Sequence, residues 1–464
     1  MKPTDSRAEL KRSVLIVAAF AAFLTPFMGA AVNLALPEIG RDLDANAIEL
    51  NWVVTIYLLA SAIFLLPFGR LGDIVGRKKI FFWGLILFTV SSFCVCFSTT
   101  ISYLLAFRAI QGVSSAMIFG TSMAIITSVF PPGERGKAMG ISITAVYIGL
   151  SSGPFLGGLL TQYFGWRSIF IFLVPWGLAA ALLTHFKIKT EWADARNERL
   201  DIPGAILIGA GLVLTITGFS KLPTTTGLIM VGFGIVLIGT FFFYERIAAQ
   251  PLLNIKLLTA NRVFAFSNLA AMIQYSATSA TGFFMSLYLQ YLKGLDARTA
   301  GLILMTQPVI MALLSTPSGK LSDRINPGKM ASAGIGLTAA GIVSFTFLSQ
   351  NSPLSMIIVI LIVMGVGYAL FSTPNANAIM SSVEKRDLGV ASGMLGTMRM
   401  VGQTMSLGIA MMLIALFIGQ EKISPDNYPD LLTTIRTGFL ILALLCIPAI
   451  FASLARNKRL NRIK

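Results

Sequence analysis

Two arginines, Arg108 and Arg399, stand inside apolar stretches of this chain. A guanidinium stays protonated at such depth, so it needs a partner, a water-filled cavity or an anionic ligand. No Asp or Glu stands well inside any apolar stretch, and Glu38 and Glu245 come only at their ends. The expected chemistry is therefore recognition by uncompensated positive charge. For Arg108, close to the start of its stretch, the alternative is a side chain that snorkels to the outer interface. Further polar residues in apolar stretches are Asn33, Tyr57, Gln111, Tyr147, Gln274, Tyr275, Gln307, Asn375, Asn377 and Gln403. Each is a candidate to line a substrate cavity or else to hydrogen-bond between helices. Met28 and its neighbours offer a plastic, accommodating wall.

Covalent chemistry has no support. The chain has no G-x-x-x-x-G-K-S/T phosphate loop, no membrane-embedded acid/base pair and no zinc-ligand cluster, so an enzyme, an ATP-driven pump, a metal and a cofactor are not expected. Cys94, Cys96 and Cys446 fall in apolar stretches and read as packing residues, and the lone His185 reads as structural or interfacial.

The elements that position these groups must be membrane helices. Of the 464 residues, 55% are hydrophobic and 12% charged, which a water-soluble fold cannot accommodate. Apolar stretches of spanning length lie at 14–36, 50–69, 79–98, 102–129, 138–160, 167–186, 203–220, 226–245, 264–292, 300–319, 330–348, 355–380, 388–418 and 433–455. With both termini in the cytoplasm, 27 Lys and Arg fall inside and 7 outside, so the net charge of +16 is topological. A nucleic-acid partner is not expected. The even helix count also keeps the basic tail of Arg456, Lys458, Arg459, Arg462 and Lys464 inside.

The segment GRLGDIVGRKK at 69–79 recurs in weaker form as GKLSDRINPGK at 319–329. Gly69 matches Gly319, and Asp73 matches Asp323. The chain thus divides into a six-helix half at 1–186, a polar linker at 187–202, two extra helices at 203–246, a second linker at 247–263 and a six-helix half at 264–464. Two related halves with a shared site near the membrane midplane form a recurrent transporter architecture.

In VYIGLSSGPFLGGLL, Gly149, Gly153 and Gly157 stand four apart on one helix face, with Pro154 and Gly158 beside them. The glycines let a neighbouring backbone approach closely, and the proline removes a helical hydrogen bond. This run resembles the antiporter motif of major facilitator drug efflux proteins. Gly69, Leu71, Asp73, Gly76, Arg77 and Lys78 are similar to that superfamily's signature between helices two and three, with Ile74 where the family often has arginine. The resemblance implies that Asp73 latches the halves at a helix N-terminus near Leu388. Glu134, Arg135 and Lys137 either join that cluster or form a solvated turn. LLAFRAIQGVSSA at 104–116 resembles the family motif centred on a membrane arginine, here Arg108. FMGAAVNLALP at 27–37 resembles the first-helix motif, with Met28 taken as the place of its usual aspartate.

The resemblance covers essentially the whole chain and implies an all-α major facilitator fold of fourteen transmembrane helices in a 6+2+6 order. It implies a secondary exporter of small amphipathic compounds, with protons as coupling ion. A monomer is expected, and the short inner tails without a targeting peptide point to a prokaryotic plasma membrane. Without an intramembrane acid, neutral, zwitterionic or anionic substrates are expected over permanent cations. The alternatives are a transporter of one anionic or zwitterionic metabolite or lipid, and a non-transporting membrane sensor.

Overall fold

A computed structural model describes residues 3–45, 47–222, 224–418 and 425–456. The first half comprises α1 (Pro3–Asp42), α2 (Ala47–Val75), α3 (Arg77–Val95), α4 (Ile101–Val129), α5 (Arg135–Phe164) and α6 (Arg167–Lys187). A central pair follows, α7 (Ile202–Ser220) and α8 (Thr225–Tyr244), and then the short α9 (Ile255–Thr259). The second half contains α10 (Arg262–Thr278), α11 (Ala280–Leu287), α12 (Ala297–Leu304), α13 (Thr306–Ser322), α14 (Pro327–Thr346), α15 (Leu354–Ser381), α16 (Leu388–Phe417) and α17 (Tyr428–Ala455).

Among the described residues, twelve helices are long and apolar enough to cross a membrane. The stretches expected at 264–292 and 330–348 are helical as well. The first is α10 and α11 joined through Ser279, which keeps helical dihedrals (φ −69°, ψ −31°), and ends in a π turn at Tyr288–Leu292. The second is α14, whose many small residues lower its hydropathy. The duplication is visible in the helix starts: α2 and α3 begin at Ala47 and Arg77, and α12 and α14 at Ala297 and Pro327.

Small residues set the closest packing. A Cβ on Gly149 would meet the Phe23 carbonyl oxygen at 2.7 Å, and on Gly153 or Gly157 the Ala30 or Ala31 Cβ at 2.6 Å. The glycine face of α5 is therefore the seam with α1, where a side chain would force the backbones apart. α5 continues as one helix through Pro154, and Gly158 is half-buried beside the seam. Two apolar cores form, one within the second half and a larger one that fills the first half and reaches across to α13, α15 and α16; α7 contributes Ile208, Leu212 and Ile216 to the larger.

The signature at 69–79, expected as a gating loop between helices two and three, is instead almost wholly helical. Asp73 lies in the last turn of α2, and only Gly76 separates α2 from α3. Its φ of +128° is a conformation that L side chains rarely adopt, so the turn requires glycine. Nor is Arg456 part of a solvated tail. It is 3% exposed, donating to Ser267 Oγ at 2.9 Å, Asn375 Oδ1 at 2.7 Å and the Gly328 carbonyl at 3.0 Å. Burial pushes its guanidinium down to about 10, and it remains charged. Lys458, Arg459, Arg462 and Lys464 lie outside the described residues.

Candidate functional site

The halves meet through two pseudo-symmetric carboxylate contacts at one end of the bundle. The buried Asp73 accepts from the backbone N–H of Gly389 at 2.9 and 3.0 Å and of Val390 at 3.1 Å, at the start of α16. Asp323 accepts from the N–H of Gly136 at 2.8 Å and of Lys137 at 3.0 Å, at the start of α5. Free N–H groups and the helix dipole favour an anion at both places. Glycines make these contacts possible. A Cβ on Gly389 would meet Asp73 Oδ1 at 2.7 Å, and one on Gly136 would meet Asp323 Oδ1 at 2.8 Å. One turn further on, Cβ atoms on Gly140 and Gly393 would meet the carbonyl oxygens of Ser315 at 2.7 Å and Leu65 at 2.5 Å.

The first contact is the more heavily charged. Arg77, fully buried, donates through Nε to Asp73 at 2.8 Å, through Nη1 to Asp194 at 3.0 Å and through Nη2 to the Lys385 carbonyl. Arg70 pairs with Glu198 and stands 3.7 Å from Asp387. Glu191 accepts from the N–H of Lys78 at 2.9 Å and of Lys79 at 3.1 Å, capping α3. The segment at 187–202 is therefore an ordered strap, three of whose acids, Glu191, Asp194 and Glu198, hold the α2–α3 corner. Glu134 pairs with Lys11 of α1, whereas Lys137 donates its backbone N–H to Asp323.

Between the halves lies a cavity of about 780 Å³. On α16 it is lined from Ser392, close to the Asp73 contact, to Met411, a helical rise of about 28 Å. At the far end its lining residues Asn33, Leu407 and Met411 are exposed. Its wall is largely apolar, with Tyr57, Tyr147, Tyr275, Tyr368, Asn375 and Gln403 as polar elements. Tyr147 and Tyr275 meet Tyr368 edge-on, with ring centroids at 6.5 and 5.7 Å. Tyr147 also donates to Ser372 Oγ at 3.0 Å, while the Ser142 hydroxyl on the same wall has no hydrogen-bond partner among the described residues.

Both arginines reach this cavity. Arg108, 0% exposed, donates to the Val53 carbonyl and to Gln111 Oε1, each at 2.9 Å, and lies 4.5 Å over the Tyr57 ring. Gln111 is held in turn by donating to Ser92 Oγ at 2.9 Å. Arg399 lies 4.8 Å over the Phe119 ring. Neither has a carboxylate within salt-bridge distance among the described residues, and none of the cavity-lining residues is acidic. The inward contacts of Arg108 exclude the snorkelling alternative for its side chain.

Several expected lining residues are elsewhere. Met28 is 0% exposed and belongs to the apolar core, because one residue along a helix turns the side chain by about 100°. The cavity-facing position on that turn is Gly29, where an added Cβ would meet nothing within 4 Å. Asn377 serves the second latch, donating to Ser322 Oγ at 3.1 Å and Asp323 Oδ1 at 3.4 Å. Gln111 backs Arg108, while Gln274, fully buried, and Gln307 do not line the cavity. Sequence reasoning missed Gly136 and Gly389, Tyr368, the strap acids and Arg456.

Comparison with known proteins agrees with this geometry. The description "Major Facilitator Superfamily" matches residues 18–273 and 267–462. The chain is 32% identical over 392 residues to the riboflavin transporter RibZ of Clostridioides difficile, covering 83% of this chain and 84% of that protein. It is 30% identical to the cephamycin export protein CmcT of Amycolatopsis lactamdurans, covering 97% and 95%. The human organic anion transporter MFSD10 (TETRAN) shares the fold, with a TM-score of 0.67 at 15% identity over 98% of this chain and 100% of that one. Two related helical halves, a cavity between them and these matches lead to one conclusion: the chain is a multi-pass membrane protein that belongs to the Major Facilitator Superfamily.

Proposed function

We propose that the protein is a secondary active exporter of small amphipathic compounds, of the fourteen-helix drug-efflux kind, working by alternating access. The observation that carries this reading is the cavity, lined by Arg108 and Arg399 with no acidic side chain on its wall and closed at one end by two carboxylate latches. Similarity to an antibiotic export protein supports export of small organic molecules. The latched end is then cytoplasmic, as are both termini, and a single chain in the plasma membrane is the working unit. Release of Asp73 and Asp323 lets the halves rock and the cavity open inward.

The charge balance sets the substrate preference. Two cations facing a low-dielectric cavity repel a permanently cationic ligand and attract an anionic or zwitterionic one. Proton coupling has no carboxylate on this wall to use, since the cavity-facing position on α1 is Gly29. Proteoliposome flux of fluorescein, an anion, and ethidium, a permanent cation, with and without an imposed pH gradient tests both points. Saturable fluorescein flux above that of ethidium is expected. A saturable preference for ethidium overturns the charge assignment; flux that follows the pH gradient means that protons couple through a group off this wall, and gradient-independent flux means that protons do not drive export.

A narrower reading rests on the Tyr147, Tyr275 and Tyr368 cluster, a surface suited to one planar ring system. The similarity to a riboflavin transporter favours it. Competition by riboflavin, but not by unrelated amphiphiles, distinguishes a single-substrate transporter from a broad exporter.

A further inference from the structure

The central pair α7–α8 has no counterpart in the duplication, yet it is not an appendage. α7 packs on both α2 and α16, one from each half, so it lies along a seam between them. Its buried residues Ile208, Leu212 and Ile216 recur every four positions, which places them on one helix face. Contact is close at both edges. A Cβ on Gly209 of α7 would meet Ile63 Cγ2 of α2 at 3.0 Å, and one on Gly408 of α16 would meet Phe219 Cβ of α7 at 3.2 Å. Ile216, 7% exposed, lines the cavity itself. On the opposite side Ile206 is 64% exposed, and α8 carries an outer face of Ile229, Phe233 and Val236, each exposed. The other seam, between α5 and α13, is closed by direct packing, with Thr144 Oγ1 3.0 Å from Thr316 Oγ1.

We propose that α7 is a wall of the substrate cavity, sealing the α2–α16 seam against lipid, and that Ile216 is a specificity-determining residue for the ligand held there. This rests on the cavity being the substrate site. α8 then serves as the lipid-facing backing of α7. A side chain at position 216 meets the ligand from outside the twelve duplicated helices, so it can change selectivity without touching either latch.

The test uses full-length protein in proteoliposomes, with Cys94 and Cys96 replaced by Ser and Cys446 by Ala. Single cysteines are placed at Ile216, at Ile206 and at Ser372, which lines the cavity from the second half. A membrane-impermeant maleimide is the probe. The cysteine at 216 is expected to react within about tenfold of the rate at 372, and the one at 206 to remain unlabelled, because only the first two face water. Labelling at 372 without labelling at 216 overturns the wall. Labelling at neither overturns the cavity reading on which it rests. Ile216→Phe and Ile216→Ala, both apolar, give a second measure. The ratio of fluorescein flux to that of the larger anion calcein is expected to rise about three- to tenfold with Phe and to fall with Ala. An unchanged ratio in both variants overturns the specificity role.

Discussion

The latched end and the cavity bury the same residue type in opposite ways. Arg77 and Arg108 are both fully buried, but Arg77 is shared between Asp73 and Asp194, whereas Arg108 has a carbonyl, an amide and an aromatic ring. The first arrangement neutralises charge where the halves must lock. The second satisfies hydrogen bonds while leaving the charge itself unbalanced, which is how a site keeps affinity for an anion. Burial of an arginine does not therefore reveal its role; the charge of its partners and whether it reaches the cavity do, since Arg456 has only neutral partners and stands outside it.

The sharpest way to break this contrast is at Arg108. Arg108→Ala removes a fully buried cavity cation and leaves the Val53 carbonyl and Gln111 without their donor, so flux of an anionic dye is expected to fall at least about a hundredfold. Arg108→Lys keeps the charge and should retain part of the activity. Unchanged flux in Arg108→Ala defeats the site assignment. The latches come next. Asp73→Asn loses the charge-assisted bonds to Gly389, Val390 and Arg77, about 1.5–3 kcal/mol of preference for the latched state. Asp323→Asn should cost less, because no arginine pairs with Asp323 among the described residues. Spin-label distances across the latched end check the order. Equal populations of the open state in the two variants mean that the Arg77 network adds nothing.

How legible was this in the residues? The fold was, because spanning length, charge asymmetry and the repeat at 69–79 and 319–329 are each strong and agree. The Asp73 contact near Leu388 was legible only through the resemblance to the superfamily signature, since an acid in the last turn of a helix does not by itself name its partner. The partner glycines left a readable trace: E-R-G-K-A-M-G at 134–140 and D-L-G-V-A-S-G at 387–393 repeat an acid and two glycines at the same spacing. Single polar residues were legible only in part: Asn33, Tyr57, Tyr147, Tyr275, Asn375 and Gln403 line the cavity, whereas Gln111, Gln274, Gln307 and Asn377 do not. Apolar helices surrounded by other helices and lipid carry little amphipathic signal, so whether Met28 or Gly29, Asn375 or Asn377 faces the cavity is decided by helix rotation. Arg456 was hidden by company, one cation in a basic tail. Its socket of Ser267, Asn375, Ser453 and the Gly328 carbonyl is assembled from four helices.

A smaller effect tests whether the strap at 187–202 belongs with the latch. Asp194 is the more exposed of the two carboxylates on Arg77, so its ion pair is weak, about 1 kcal/mol or less. Asp194→Asn should shift the open population only a few-fold and less than Asp73→Asn. An Asp194→Asn effect as large as that of Asp73→Asn makes the strap, and not the helix contact, the main lock.

The gentlest test lies where acids meet without an arginine. Asp201 and Glu245 close the latched-side end of the α7–α8 pair. Both crowd Gly204, where a Cβ would meet Asp201 Oδ2 at 2.5 Å and also clash with Glu245 Oε1. The other Glu245 oxygen accepts from the Leu253 N–H at 3.0 Å, and Asp201 Oδ1 accepts from the Gly204 N–H at 3.0 Å. Burial, reinforced by the Asp201 charge, pushes Glu245 up to about 8. Its folded value thus exceeds its unfolded value of 4.5, so the proton it holds stabilises the fold fully below pH 4.5 and progressively less as pH rises through 8. Melting in detergent from about pH 6 to 9 should show stability falling with pH, and Glu245→Gln, which cannot ionise, should flatten that slope while leaving the latches untouched. An identical slope in Glu245→Gln places the pH sensitivity elsewhere.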